Sequence, residues 1–287
     1  MVCVFLTSSV FEASEVAGFR TLFCPHRCYL PHPGGRYNDE VMHNFKLILS
    51  YDGTDFQGWQ TQPGYRTVQE TLETALASLT GAAKIRVNAS GRTDAGVHAV
   101  GQVANFHSEM TVPFAKLLGA INAHLPDDVV VHSVAEVPEA FDANRDAVRK
   151  LYRYVVHDGP TVGPFLRRYC CHSKQALDAA AMARAATPLV GEHDFHSFET
   201  AWPNRASSVR TITHLCVNRA GEYIWIDVEA DGFLYNMVRT IAGTLMNIGR
   251  GFWPESMVAA ILNAEDRAVA GPTAPAQGLF LMRVTYE

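Results

Sequence analysis

From Phe45 to the C-terminus the chain passes twice through one order of patterned segments, namely strand, helix, two strands, helix, strand, and this repetition restricts the fold more than any other feature. In the first pass Phe45 to Ser50 (FKLILS) is β-like and ends at the turn dipeptide Asp52-Gly53. Thr67, with Glu70 three residues on, reads as a capping box opening the helix VQETLETALASL. Val68, Leu72, Leu76 and Leu79 share one face of that helix, and Gly81 closes it. Ile85, Val87 and Ala89 alternate as a strand leading to Gly91, and VHAVGQVANF returns from Gly96 as a second. A helix over Phe114 to His124, ending before Pro126, and a strand over Val129 to Val137 complete the unit.

The second pass is looser. Tyr152 to His157 (YRYVVH) predicts a strand ending in Asp158-Gly159, and the Ala-rich Ala176 to Val190 a helix. Ile212 to Asn218 and Tyr223 to Ala230 predict a hairpin about Gly221, Val238 to Ile248 a helix, and Gly278 to Tyr286 a closing strand. Two copies of β-α-β-β-α-β make an α+β fold of two RRM- or ferredoxin-like lobes with adjoining antiparallel sheets, over residues 42–148 and 149–287. A long concave surface is expected between them.

Residues 1–41 read differently. The apolar start VCVFLTSSVF lacks a basic n-region and runs into Glu12 and Glu15, which is wrong for a signal peptide, and the acids argue against a transit peptide. The loop-like PHRCYLPHPGG follows, and Met42 stands just before the first strand. This segment is expected to be a disordered or artefactual extension, with translation starting at Met42. Within it Cys24, His26, Cys28 and His32 cluster without matching a common zinc spacing or having a second half, so no metal site is expected. Six cysteines in 287 residues do not make a disulfide scaffold. No stretch approaches the roughly 18 uninterrupted apolar residues of a membrane span. A cytoplasmic protein that does not use the membrane is expected.

A net charge of −5 argues against a bulk nucleic-acid binder, since phosphate binding leaves a basic footprint. A local stripe is still available. Between Phe141 and Lys174 seven Lys or Arg face three acids, and between Trp202 and His214 Arg205 and Arg210 stand with no acid at all.

Three short stretches carry candidate chemistry. Gly91-Arg92-Thr93-Asp94-Ala95-Gly96 is a polar, Gly-flanked turn between apolar strands that holds Asp94 at a strand end where a ligand can approach closely. An Asp in such a turn also serves simply to form it, and Arg92 there reads equally as a solvated loop residue. In Arg149-Lys150-Leu151-Tyr152-Arg153-Tyr154 cations interleave with aromatics at a strand entry. Lys150, Tyr152 and Tyr154 share one face and Arg149 and Arg153 the other, a pattern suited to an unstacked base and its phosphates or to a half-buried Tyr pair at a sheet edge. In Asp231-Gly232-Phe233-Leu234-Tyr235-Asn236-Met237-Val238-Arg239 a strand end passes into a helix. Arg239 falls in its first turn, where the dipole disfavours a cation unless a carboxylate answers it.

Taken in order, YDGTDFQGWQTQ, GRTDAGVHA, KLYRY, GFLYNMVRTIAGTLMNIGRG and APAQGLFLMRVTY resemble the successive motifs of the TruA family of tRNA pseudouridine synthases, from about residue 43 to the end. The resemblance implies the pseudouridine synthase fold and an isomerase turning uridine into pseudouridine at positions 38, 39 and 40 of the tRNA anticodon stem-loop. It implies Asp94 as catalytic nucleophile or base, Arg239 as its ion-pair partner and Tyr152 as the residue stacked on the target base. Arg92 would hold the flipped nucleotide, with Lys150, Arg145 and Arg149 as further substrate contacts. A homodimer acting on tRNA without metal or organic cofactor is implied too. The chemistry agrees: the N1 glycosidic bond breaks, the uracil turns and C5 joins C1′, and an ionised carboxylate suits covalent attack or base work at the sugar. Attack at C1′, attack at C6 and removal of the C2′ proton all remain open.

Two departures stand out. Many members carry Arg directly after an FDA or FHA triplet, where this chain has Asn144 followed by Arg145, so the phosphate contact there is expected to be shifted or lost. The first 41 residues match no family counterpart. A catalytically silent RNA-binding protein of the same fold, the alternative reading, predicts loss of Asp94, which is present. A cysteine or zinc enzyme is disfavoured because the cysteines lie outside the motifs.

Overall fold

The computed structural model describes residues 42–109, 112–200 and 207–287. The expectations for residues 1–41, with Cys24, His26, Cys28 and His32, and for Arg205 lie outside the described residues.

The first half comprises β1 (His43–Tyr51), α1 (Val68–Thr80), β2 (Val87–Ala89), β3 (His98–Ser108), α2 (Phe114–Ala123) and β4 (Val129–Val137). The second comprises β5 (Arg149–His157), β6 (Cys171–His172), α3 (Ala179–Ala186), β7 (Gly191–Asp194), β8 (Val209–Ala220), β9 (Tyr223–Ala230), α4 (Met237–Gly249), α5 (Met257–Ala264) and β10 (Leu279–Thr285). All the strands join one sheet in the order β4-β1-β3-β10-β5-β9-β8-β7, with β2 beside β3 and β6 beside β5. The pairs are antiparallel except β10 with β3 and β5 with β6.

The C-terminal strand is the seam of this α+β sheet. Its Phe280 and Leu281 lie opposite His98 and Ala99 of β3, while Leu281 also faces Tyr152 of β5. The start of β3, just after the Asp94 turn, and the middle of β5 are therefore one strand apart.

Each half covers its part of the sheet with helices. In β1, Phe45, Leu47 and Leu49 alternate inward and are fully buried. They are matched by Val68, Leu72 and Leu76 of α1 and by Leu117 and Ile121 of α2, each such side chain contributing about 1.5–3 kcal/mol of burial. The Thr67 hydroxyl accepts from Glu70 N at 3.4 Å, and Gly81 takes the left-handed conformation that ends α1. In the second half α4 is buried almost all round, with Ile241 and Leu245 fully enclosed.

Boundaries differ from expectation where side-chain chemistry competes with pattern. The helix expected over Ala176 to Val190 is confined to Ala179–Ala186. Asp178 stops it from starting earlier, because its carboxylate caps Ala181 N at 2.9 Å while its own N–H is taken by Gly249 O at 2.8 Å. Pro188 tightens the far end into the 3-10 turn Thr187–Leu189. Ile85 is buried but stands before β2, and β5 begins at Arg149, three residues before Tyr152. Among the described residues no helix is long and apolar enough to cross a membrane.

Candidate active site

Asp94 sits in the turn between β2 and β3, and segment 53–59 holds that turn from the side. Trp59 N–H donates to Thr93 O at 3.0 Å, Gly96 N–H to Phe56 O at 3.2 Å and Val97 N–H to Asp94 O at 3.1 Å. Gly58 is the residue that permits this contact: its φ is +86°, and a Cβ there would lie 2.6 Å from Thr93 O.

Beneath the turn lies a buried polar floor. The Tyr51 hydroxyl meets Thr93 Oγ1 at 2.8 Å. Gln102 donates to Tyr51 Oη at 3.4 Å and to Gly91 O at 3.0 Å, and accepts from Ser90 Oγ at 2.7 Å. Burial pushes the Tyr51 phenol up to about 12, with the hydrogen bonds to Thr93 and Gln102 opposing only part of that shift. These paired groups fix the loop, since breaking any bond would orphan a buried donor or acceptor.

Arg239 reaches the turn from a position 145 residues later in the chain, placing Nη1 3.0 Å from Asp94 Oδ2. The guanidinium is fixed on two other sides, with Nε donating to Ala274 O at 2.8 Å and Nη1 to Asn236 Oδ1 at 2.8 Å. Ala274 N–H returns a bond to Arg239 O at 3.1 Å. Gly243 lets this crossing segment lie on α4, because a Cβ there would run into the Pro272 carbonyl oxygen. Asp94 is thus the carboxylate that answers a cation in the first turn of α4. The pair is partly open, with side-chain exposures of 17% for Arg239 and 27% for Asp94. Among the described residues Asp94 Oδ1 has no hydrogen-bond partner.

Tyr152 lies beside them, 8% exposed, on a strand paired on both edges and not at a sheet edge. Its ring stands edge-on to Phe233 at 5.0 Å between centroids. Burial, with Tyr51 and Asp94 adding to it, raises its phenol far above the ordinary value and keeps it neutral. Tyr154 is fully buried and donates to Pro275 O at 2.8 Å, which makes it part of the scaffold.

The cations divide into two groups. Lys150 Nζ donates to Ser90 O at 2.5 Å at the base of the Asp94 turn, and its pKa is lowered by burial and then by Arg210. Arg92 is exposed in the turn and makes no hydrogen bond or ion pair with a described residue, while Arg149 is exposed at the start of β5. Arg145 is held locally by Asp146 at 2.8 Å and by the Ala140 carbonyl. Arg153 is buried in a two-pronged pair with Asp227, both contacts at 2.7 Å, so it is not on an RNA-facing surface. Asp94, Arg239 and Tyr152 converge with Lys150 and Arg92 at their margin, and Arg145 turns to its own loop.

Sequence reasoning did not single out Asn236, Ala274 or the Tyr51, Thr93 and Gln102 floor. Tyr51 opens YDGTDFQGW, Thr93 lies in GRTDAGVHA, Asn236 in GFLYNMVR and Ala274 at the start of APAQGLFLMRVTY, but contacts across the sheet have no local pattern. Among the described residues no three His, Cys, Asp or Glu side chains gather as metal ligands would. What the site offers is an oriented carboxylate with one uncommitted oxygen beside a neutral aromatic and basic side chains, suited to nucleophilic or base work at a sugar.

A family profile described as tRNA pseudouridine synthase matches residues 47–144 and 185–287. A tRNA pseudouridine synthase A of Shouchella clausii (strain KSM-K16) is 49% identical over 238 residues, covering 83% of this chain and 91% of that protein. The protein of the same name from Brevibacillus brevis (strain 47 / JCM 6285 / NBRC 100599) is 45% identical over 245 residues, 85% of this chain and 100% of its own. That of Thermoanaerobacter sp. (strain X514) is 42% identical with the same coverage of 85% and 100%.

Proposed function

The chain belongs to the tRNA pseudouridine synthase family, an isomerase family, and from that premise we propose that it converts uridine to pseudouridine at positions 38, 39 and 40 of the tRNA anticodon stem-loop. The observation that carries the reading is the pair of Asp94 Oδ2 and Arg239 Nη1 at 3.0 Å, which leaves Oδ1 without a hydrogen-bond partner among the described residues on a side chain 27% exposed.

In the reaction the N1–C1′ bond breaks, the uracil turns and C5 bonds to C1′. C5 loses its proton and N1 gains one, so the product is an isomer of the substrate. Asp94 supplies the carboxylate that attacks C1′ or C6 or takes the C2′ proton. Arg239 fixes the carboxylate rotamer through its 3.0 Å contact with Oδ2. The neutral Tyr152 ring supports the flipped base, Arg92 helps hold the flipped nucleotide, and Lys150 and Arg149 attract the flanking phosphates. Arg145, already committed to Asp146, contributes at most a peripheral contact. The reading includes a homodimer and no metal or organic cofactor.

Incubating the protein with an unmodified anticodon stem-loop and mapping pseudouridine tests this directly. Product at one or more of positions 38 to 40 is expected. Binding without product would favour the silent RNA-binding alternative.

A further inference from the structure

Asn236 breaks two local rules at once. It is one of only two non-glycine residues with positive φ among the described residues, at φ 63° and ψ 5°. It also stands at the N-cap of α4, where an Asn side chain ordinarily accepts from the next helical N–H groups, yet it makes no such bond. Its carbonyl still begins the helix, accepting from Thr240 N at 2.9 Å. The left-handed backbone disfavours folding and the missing cap forgoes a stabilising bond, so a helix start alone does not explain the residue.

The amide is turned elsewhere. Oδ1 accepts from Arg239 Nη1 at 2.8 Å, and Nδ2 donates to Thr200 Oγ1 at 2.9 Å. Arginine has no acceptor, so Oδ1 must be the atom facing Arg239, and Thr200 holds the amide in that sense. Thr200 is itself anchored by its N–H on Tyr235 O at 3.0 Å. The Nη1 atom shared with Asn236 is the one that reaches Asp94. A neutral acceptor here occupies the second Nη1 hydrogen without competing as a charge for the guanidinium.

We propose that Asn236 is a positioning residue for the isomerisation: its left-handed conformation and its Thr200-locked amide aim Arg239 Nη1 at Asp94 Oδ2. The proposal rests on the assignment of Asp94 and Arg239 to the reacting site.

The test uses the full chain carrying Asn236→Gly, Asn236→Ala, Arg239→Lys and the double change Asn236→Gly with Arg239→Lys. Glycine keeps the backbone conformation and removes only the amide, whereas alanine also disfavours the backbone. Asn236→Gly should lower the single-turnover rate at saturating tRNA about 10-fold with tRNA affinity and melting temperature near wild type. Asn236→Ala should lose rate similarly and melt earlier. On the Arg239→Lys background, which has no Nη1, Asn236→Gly should change the rate by less than about 2-fold. A wild-type rate in Asn236→Gly, a loss confined to affinity, or the same loss repeated in full on Arg239→Lys would overturn the proposal. Asp94→Asn measured alongside separates the two levels. Full turnover there sinks the site assignment, whereas an inactive Asp94→Asn with an indifferent Asn236→Gly sinks only the role of Asn236.

Discussion

The Tyr152 ring meets Phe233 edge-on, with centroids 5.0 Å apart and planes at 85°, so the aromatic proposed to support the target base is itself braced by a residue from the turn leading into α4. Removing the ring therefore does two things. Tyr152→Ala would lose base stacking of about 1–3 kcal/mol and also open a cavity costing about 3–5 kcal/mol of stability. Tyr152→Phe keeps ring and packing and removes only the hydroxyl, which has no hydrogen-bond partner among the described residues. Phe should retain turnover within a few-fold; a Phe variant as inactive as Ala, at an unchanged melting temperature, would give the hydroxyl a chemical role.

Gly58 should tolerate no side chain. Its φ of +86°, and the mere 2.6 Å that would separate an added Cβ from Thr93 O, mean that Gly58→Ala must displace the Asp94 turn. A loss of about 2–4 kcal/mol is expected, or roughly 4–12 °C in melting temperature for a domain of this size, with a larger fall in turnover than in tRNA binding. Thermal melts paired with single-turnover assays check it, and an Ala variant that keeps both values would mean the loop contact is dispensable.

The asymmetry between what sequence shows and what it hides has a physical origin. Phe45 to Ser50 is a strand as expected because alternating burial writes itself into every second residue, with Phe45, Leu47 and Leu49 inward. α1 and its Thr67 cap are equally local. By contrast β7 (Gly191–Asp194) is short, polar and an edge strand, and it exists because β8 offers it a partner. α5 follows Pro254 as only eight residues, too short for its MVAAIL run to declare a helix. At the site, the unfavourable place of Arg239 in a first turn called for a carboxylate, but the residue answering it lies 145 positions away and no spacing rule reaches so far. Arg153, read as part of a basic stripe, is claimed by Asp227 through the register of β5 and β9.

Asp94→Asn preserves shape and one hydrogen-bond acceptor but can act neither as nucleophile nor as base. Turnover should fall by about 10³-fold or more, with tRNA affinity and melting temperature little changed. Arg239→Ala should harm both activity and fold, since it leaves Asp94, Asn236 and Ala274 without their shared donor. Its stability cost should fall below the roughly 3–5 kcal/mol of a fully buried pair, because both partners are partly exposed. Pseudouridine formation near the wild-type rate in Asp94→Asn would remove the residue from the chemistry.

Tyr169 donates to Asp52 Oδ2 at 2.6 Å, tying the 158–170 segment to the turn that carries Gly53. Burial acts to raise the Asp52 carboxyl, but the hydrogen bonds it accepts win and hold it far below the ordinary value. The hydrogen bond to Asp52 pushes Tyr169 up to about 12, with burial adding to it. Asp52 lowered means stability present above its unfolded value near pH 4 and lost as pH falls toward its folded one; Tyr169 raised means stability present below about pH 10 and lost as pH rises toward 12. The stability gap between wild type and Tyr169→Phe should therefore be a plateau of about 1–2 kcal/mol between roughly pH 5 and 9, closing on both sides. Denaturant midpoints across pH give the shape, and a gap independent of pH would show that the phenol matters by packing and not through its bond to Asp52.

The same segment carries Phe165, Arg167 and Arg168 outward, with Phe165 82% exposed and the Arg168 side chain 54% exposed, although Arg168 lies 3.9 Å from Asp55. The backbone beneath is anchored, since the His98 ring donates from Nε2 to Arg168 O at 3.1 Å and Tyr169 holds Asp52. An acidic protein that binds a polyanion must use such local stripes, so tRNA affinity should fall steeply with salt. Charge reversal at Arg167 and Arg168 should flatten the log-log slope by about 1–2 and raise the dissociation constant, while the rate at saturating tRNA stays unchanged, because phosphate contacts position the substrate and do not perform the isomerisation. Phe165→Ala should weaken binding without lowering the melting temperature, as its ring has little packing to lose. Affinity that ignores salt, or a lowered saturated rate with binding intact, would place the tRNA path elsewhere on the molecule.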